Sequence, residues 1–197
     1  MFFQKYLKYK IKYLKLKNAQ IGGDQIYIDK ANSQIKIYDY PSSKYDKIHQ
    51  VLKDLYEICE PNDQFLNPHG DSAKVFTLEY IPNNKIVGFA VITDLKLFIR
   101  DKHFEEQGGD KNKKGLFITS VCANTATYRG VATPILMIIK EYSINNNYDY
   151  LLLHAKKDRT YLHDNLGLRQ GLYVKNGYKK IGEYGDFYIM RMDLPKI

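Results

Sequence analysis

The stretch LFITSVCANTATYRGVATPILMIIKEY, residues 116–142, decides the expected fold. A strand over Leu116–Ala123 is followed by a small-residue turn at Arg129–Ala132 and then by an apolar helix. The helix is expected to begin at Thr133–Pro134 and to run to about Ser143, because Thr is a favoured N-cap and Pro is favoured at the first helical position. The pattern therefore predicts a strand, a turn and a helix in succession.

This turn is also the first candidate binding site. Backbone amides in a small-residue loop and at a helix start are not used by the helix, and the positive end of the helix dipole favours an anion there. A pyrophosphate group is a suitable ligand, with Arg129 balancing its charge. The same arrangement also occurs in α/β proteins that bind nothing at the turn, so a purely structural role stays open.

On both sides of this stretch, strands and helices alternate. Helices are predicted over about 43–59 and 166–176, and strands over the ranges Ile35–Tyr40, Ala73–Ile81, Ile86–Phe98, Tyr148–Ala155 and, as the final strands, Lys179–Leu194. The almost wholly polar residues 101–115 are expected to form a long surface loop. Mixed order of this kind predicts one α/β domain around a twisted, mostly antiparallel sheet, with a parallel segment across residues 116–155.

Two motifs in this order of elements resemble the GCN5-related N-acetyltransferases (GNAT superfamily). The family's phosphate-binding signature, Arg/Gln-x-x-Gly-x-Gly/Ala, falls on Arg129, Gly130, Val131, Ala132, Thr133 and Pro134. Residues 171–178 (GLYVKNGY) resemble the family's small-x-Tyr-x-x-x-Gly-Phe ending. The resemblance spans about residues 33–194 and implies the acyl-CoA N-acyltransferase (GNAT-like) fold, a mixed, mostly antiparallel twisted sheet flanked by helices.

The resemblance also implies an activity. An N-acetyltransferase of this family takes acetyl-CoA as co-substrate, uses no metal, and lets an amine attack the thioester directly in a ternary complex. The pantetheine would lie along Val121, Cys122 and Ala123, and Tyr173 would protonate the departing thiolate. The acceptor would be an amine-bearing small molecule or protein.

A general base is harder to assign from the sequence. No carboxylate occurs in the strand Leu116–Ala123, so the candidates are His154, Glu79, Asp94 or a bound water. Ala132 and Pro134 replace small residues of the family signature, and Pro134 removes an amide. A catalytically degenerate acyl-CoA-binding or interaction module is therefore the alternative function.

The N-terminal 23 residues form a basic leader that precedes a domain over residues 24–197. Six of the eight excess positive charges are lysines in this leader, which has no acidic residue. Its apolar spacing predicts an amphipathic helix that ends at Gly22–Gly23. Such a helix can bind an anionic membrane or nucleic acid, with the domain as a scaffold, or can be a solvated extension. Its composition resembles leaders of giant DNA virus proteins.

Cysteine usage and hydropathy bear on the location of the protein. Cys59 and Cys122 lie far apart and form no CxxC pair, so neither a disulfide scaffold nor a zinc site is predicted. No apolar stretch approaches the ~20 residues needed to span a bilayer. Lysines interrupt any secretory signal at the start. The expected location is cytoplasmic, namely the host cytoplasm or the virion if the protein is viral, and not secreted.

Overall fold

The computed structural model describes seven ranges of the chain. They are residues 26–28, 31–39, 50–55, 73–98, 103–124, 127–156 and 171–196. The predicted leader and most of the predicted helix at 43–59 lie outside the described residues. The same is true of the first part of the predicted helix at 166–176.

The described chain contains nine strands and four helices. The strands are β1 (Ile26–Tyr27), β2 (Ser33–Asp39), β3 (Lys74–Tyr80), β4 (Lys85–Asp94), β5 (Gly115–Ala123), β6 (Tyr128–Arg129), β7 (Tyr150–Lys156), β8 (Lys179–Tyr184) and β9 (Phe187–Asp193). The helices are α1 (residues 50–55), α2 (Leu95–Phe98), α3 (Ala132–Asn145) and α4 (Leu172–Lys175).

Seven of these strands form one sheet in the order β2-β3-β4-β5-β7-β9-β8. Every neighbouring pair is antiparallel except β5 and β7, which run parallel because α3 connects them. The predicted mixed sheet and its parallel segment are therefore confirmed. A short 3-10 helix that ends at left-handed Asn84 (φ 53°) joins β3 and β4.

The two faces of the sheet bury separate apolar clusters. On face A, residues such as Phe76, Ile118 and Leu153 pack with side chains of α3. On face B, two clusters lie side by side: one packs Phe89 against α1, and the other packs Phe117 against the segment 103–114. Alternation along each strand sends neighbouring residues to opposite faces, so the sheet is covered on both sides.

The structure corrects three of the predicted elements. β4 ends at Asp94, whose carboxylate accepts a hydrogen bond from the Lys96 amide (3.0 Å), and a helical turn replaces the last predicted strand residues. The segment 103–114 is not only a polar surface loop, because it buries Phe104 on face B at 6% exposure. Within the described part of the helix predicted at 166–176, Gly171 is extended (ψ 166°) and the helix runs from Leu172 to Lys175.

The cysteine prediction is also corrected. Cys122 is buried on face B beside α1, and its sulfur is disulfide-bonded. The other cysteine of the sequence, Cys59, lies outside the described residues. Cys122 therefore offers no thiol nucleophile. None of the helices within the described ranges is long and apolar enough to cross a membrane.

Candidate functional site

The sheet opens where its two parallel central strands separate. β5 and β7 pair from Gly115–Tyr150 to Ile118–Leu153, and both strands then continue without pairing to each other. β5 runs on to Ala123 and β7 to Lys156. We call the space between residues 119–123 and 154–156 the β5–β7 opening.

A bulge in β5 marks the start of this opening. Val91 of β4 pairs with Ser120 and Ile92 pairs with Ile118, which leaves Thr119 as the extra residue. The Thr119 hydroxyl donates a hydrogen bond to the Val91 carbonyl (3.1 Å). A bulge bends its strand and increases the local twist, which accounts for the departure of β5 from β7 at this residue.

The peptide groups on the β5 side of the opening have a definite orientation. The Asn124 amide donates to the Val87 carbonyl of β4 (2.9 Å), and the Cys122 carbonyl also lies against β4, beside Gly88. Alternation along the strand turns the amide and carbonyl of Val121 and Ala123 the other way, toward the opening. Of the three residues that are predicted to contact pantetheine, Val121 and Ala123 therefore turn peptide groups toward the opening, whereas the Cys122 backbone faces β4.

The predicted anion-binding turn lies between β6 and α3, at the end of the opening. Gly130 has a positive φ (79°), and a Cβ atom there would lie 3.2 Å from the Ile28 carbonyl oxygen and 3.3 Å from the Tyr27 ring. Only glycine fits such a position without strain. Of these two residues, Tyr27 ends β1, which pairs in parallel with β6, and Ile28 follows directly after it.

The segment of β1 and Ile28 is hydrogen-bonded to the chain that leads into the turn. The Ile26 and Ile28 amides donate to the carbonyls of Thr127 and Arg129 (both 2.9 Å). Ile28 is buried together with Tyr128 on face A. β1 and β6 are two residues long and lie about a hundred residues apart, so no periodicity in the sequence could indicate their pairing.

Helix α3 begins at Ala132, one residue before the predicted start, with Val131 at the N-cap and no side-chain cap. The first amides of an α-helix have no acceptor within the helix, so those of Val131, Ala132 and Thr133 are available to an anion. Pro134 is the third helical residue and contributes no N–H. The turn thus keeps three of its amides despite Pro134.

Tyr173 lies in α4, at the margin of the same face A cluster that Val121 and Ala123 border. Its ring meets the buried ring of Tyr178 edge-on, with the centroids 5.9 Å apart. The structure therefore brings the predicted acid and two of the predicted pantetheine contacts to one apolar cluster.

His154 is the first residue of β7 beyond its pairing with β5 and lies on face B, where its ring packs edge-on against Phe117 (centroids 5.0 Å apart). Burial lowers the pKa of His154, and a hydrogen bond with the Gln107 carbonyl opposes this effect in part. The contact joins Nε2 to that carbonyl oxygen at 3.3 Å. Nε2 must carry the hydrogen in the neutral ring, which leaves Nδ1 as a proton acceptor.

The other two base candidates do not border the opening. The Glu79 carboxylate lies on β3, two strands away, and accepts from Gln34 Nε2 (2.9 Å) and Lys36 Nζ (2.8 Å). Asp94 is at the far end of β4, opposite Leu116, where β5 and β7 are still paired. Across the described part of the chain, no group of three His, Cys, Asp or Glu residues lies close enough to hold a metal ion.

Comparison with known proteins finds the same fold in solved structures. The similar structures include GCN5 of Tetrahymena (TM-score 0.54, 15% identity, 83% of this chain and 98% of that chain covered). A GNAT-family acetyltransferase of Listeria monocytogenes gives a TM-score of 0.53 at 14% identity, with 81% and 95% covered. FeeM, an N-acyl amino acid synthase from uncultured soil microbes, gives 0.51 at 17% identity, with 82% and 90% covered.

Sequence comparison is less informative. No protein-family model matches the chain. The TSET complex member tstF of Dictyostelium discoideum is 30% identical over 152 residues, which are 77% of this chain. The chain spans only 13% of the length of that protein. The structural comparisons therefore decide the fold: the chain has the acyl-CoA N-acyltransferase fold of the GNAT superfamily, as the sequence predicts.

Proposed function

We propose that the protein is an N-acetyltransferase that moves an acetyl group from acetyl-CoA to an amine. The observation that carries the proposal is the β5–β7 opening, which leads to the Gly130 turn and the start of α3 in a chain of this fold. A strand-like ligand in the opening would run along Val121 and Ala123, and the α3 amides suit its pyrophosphate. Gly130 allows the turn its positive φ (79°) and the close approach of the chain at Tyr27 and Ile28.

In the proposed reaction the acceptor nitrogen attacks the thioester carbonyl carbon directly. A C–N bond forms, the C–S bond breaks, and the sulfur leaves as a thiolate. Tyr173, on face A, gives its phenolic proton to that sulfur. The proton lost by the amine goes to His154 Nδ1 on face B, directly or through a water. The acid and the base thus flank the opening from opposite faces of the sheet.

The acceptor is an amine-bearing small molecule or a protein, since both carry the nucleophile that this chemistry requires. A neutral His154 suits such an acceptor, because an amine that is protonated at neutral pH must lose a proton to react. Acetyl-CoA is the acyl donor we propose. The described residues that would hold it are those at the opening and at the turn.

The first experiment measures binding and turnover together. Acetyl-CoA or CoA at millimolar concentration should raise the melting temperature, because a ligand of the native state stabilises it by mass action. A screen of small amines and peptide amines with a free-thiol readout should then identify an acceptor. An unchanged melting temperature with no thiol release from any amine would contradict the proposal.

A degenerate acyl-CoA-binding or interaction module is the second candidate. Two features favour it: Pro134 takes away one amide of the α3 first turn, and β5 has no carboxylate between Gly115 and Ala123. In that case CoA would stabilise the protein, but no amine would release thiol. The same two measurements therefore distinguish the candidates.

A further inference from the structure

Tyr178 carries a buried hydroxyl that has no hydrogen-bond partner among the described residues. The residue is 1% exposed and belongs to the face A cluster. Tyr150, which is also fully buried, differs in that its hydroxyl accepts a hydrogen bond from the Asp110 amide (2.9 Å). A buried polar group without a partner is destabilising and rare in folded proteins, so the Tyr178 hydroxyl requires an explanation.

The ring that carries this hydroxyl packs against Tyr173. The two rings meet edge-on, with centroids 5.9 Å apart and an interplanar angle of 72°. Their backbones are also joined, because the Tyr178 amide donates to the Tyr173 carbonyl (3.0 Å) across the turn at Gly177, where φ is 91°. The turn that ends α4 thus fixes the two tyrosines side by side.

The Tyr178 phenol is protonated at neutral pH and can donate a hydrogen bond. Burial, with a smaller effect from the neighbouring Tyr173, raises the pKa of Tyr178 far above its ordinary value. The hydroxyl therefore keeps its proton. A phenylalanine would fill the same apolar space without any polar atom to bury, so packing alone does not explain the oxygen.

We propose that Tyr178 is a positioning residue for Tyr173. The Tyr178 hydroxyl donates a hydrogen bond to the Tyr173 oxygen as Tyr173 releases its proton. The inference rests on the proposed function, because it requires Tyr173 to act as the acid. In an unliganded protein such hydrogen bonds are often long, and they tighten when substrate is bound.

The proposed hydrogen bond would stabilise Tyr173 after it has lost its proton. Tyr173 Oη passes its proton to the leaving sulfur and becomes a phenolate, while the Tyr178 proton stays on Tyr178. An ordinary phenol has a pKa of about 10 and an ordinary thiol a pKa of about 8.5. The transfer of the proton from phenol to thiolate is therefore unfavourable by this difference, about 1.5 in pKa. A hydrogen bond from Tyr178 to the new phenolate is charge-assisted and reduces this deficit.

The test is Tyr178→Phe, which removes the hydroxyl and keeps the ring. We expect kcat to fall about tenfold at unchanged KM for acetyl-CoA, because a rise of about one in the pKa of Tyr173 makes it a tenfold weaker acid. The basic limb of the kcat–pH profile should move to higher pH, because Tyr173 without its donor holds its proton more tightly. The melting temperature should equal or exceed that of the wild type, since an unsatisfied buried hydroxyl is lost.

Two further variants sharpen the test. Tyr150→Phe is the matched control: it also removes a buried hydroxyl, but one that has a partner, so it should lower the melting temperature and leave kcat and the basic limb unchanged. The double variant Tyr173→Phe/Tyr178→Phe should be no slower than Tyr173→Phe alone, because Tyr178 acts only through Tyr173.

Three results would overturn the inference. A Tyr178→Phe enzyme with wild-type kcat and an unmoved basic limb would show that Tyr178 only packs, while the proposed activity would stand. A lower melting temperature for Tyr178→Phe would show that the hydroxyl has a structural partner. A wild-type protein that transfers no acetyl group would overturn the proposed function and this inference together.

Discussion

His154 is the one histidine in the described ranges that packs inside the fold; His103, the other, is exposed and paired with Glu106 (2.7 Å). Burial lowers the pKa of His154, so the folded protein disfavours its charged form. In the unfolded chain the same imidazole takes up a proton at a pH of about 6.5. As pH falls below that value, the unfolded state binds a proton that the folded state does not bind, and the free energy of unfolding decreases.

We therefore predict that His154→Gln reduces the dependence of stability on pH. The wild type should lose melting temperature more steeply than the variant between pH 7.5 and the lower pKa of folded His154. Below about pH 6.5 the contribution of one such group approaches but does not exceed ~1.4 kcal/mol per pH unit. The measurement is thermal unfolding in a series of buffers of equal ionic strength.

The matched control is His103→Gln, which removes an exposed imidazole. Its melting temperature should follow the wild-type pH dependence closely. If His154→Gln and the wild type lose stability in parallel as pH falls, then His154 titrates with an ordinary pKa and burial does not keep it neutral. Turnover of His154→Gln at neutral pH separately tests the proposed role as base.

At this scale the sequence identifies residue types but not their surroundings. Tyr173 and Gly130 are assigned through the motifs that resemble the signatures of the GNAT superfamily. The choice among His154, Glu79 and Asp94 does not follow, because the partners that occupy Glu79 come from β2, some 45 residues away in sequence. The buried hydroxyl of Tyr178 is likewise invisible in a motif that allows an aromatic residue there.

At the scale of elements, the Gly130 turn offers a test that separates strain from binding. Gly130→Ala should lower the free energy of unfolding by about 1–2 kcal/mol, because a left-handed residue with a Cβ is strained. The new Cβ would also lie 3.2 Å from the Ile28 carbonyl oxygen and shift the turn. We therefore expect CoA affinity to fall as well, which calorimetric titration can measure.

Gly185→Ala is the matched control for this prediction. Gly185 is also left-handed (φ 54°), in the turn between β8 and β9, but nothing lies within 4 Å of a Cβ there. It should show a similar loss of stability with unchanged CoA affinity. Equal affinities for CoA in both variants would show that the Gly130 turn is a structural turn and not part of an anion site.

The elements with clear periodicity or turn signals were predictable, and those formed by distant contacts were not. The strands around the β3–β4 turn, the helix after Gly130 and the final hairpin all follow from local patterns. β1, β6 and the burial of Phe104 depend on pairings across the fold. The opening itself depends on the bulge at Thr119, which arises from the register against β4 and has no local sequence signal.

For the whole molecule, the distribution of charge and the position of β1 indicate where the leader ends and the domain that we propose to bind CoA begins. The formal charge is +8, and six of the excess charges lie before Gly22–Gly23. Strand β1 begins only three residues after this pair, and its amides hold the turn that we propose for CoA. The leader and the domain should therefore be separable, but only by a cut before Ile26.

We predict that a chain shortened to start at Asp24 folds and binds CoA like the full-length protein. The lysines of the leader would be costly to bury, so they should not contribute to the core. A chain that starts at Ser33 should melt at a lower temperature and bind CoA more weakly. It lacks the Ile28 side chain, which is buried on face A, and the two hydrogen bonds that the Ile26 and Ile28 amides donate to the carbonyls of Thr127 and Arg129.

The same pair of shortened chains tests what the leader does. Full-length protein should bind anionic vesicles or nucleic acid with an affinity that falls steeply as salt is raised, because bound lysines displace counterions. The chain starting at Asp24 should lose this binding and keep its CoA-dependent rise in melting temperature. Loss of CoA binding in that chain would instead show that the leader is part of the folded domain, and the proposed boundary at residue 24 would be wrong.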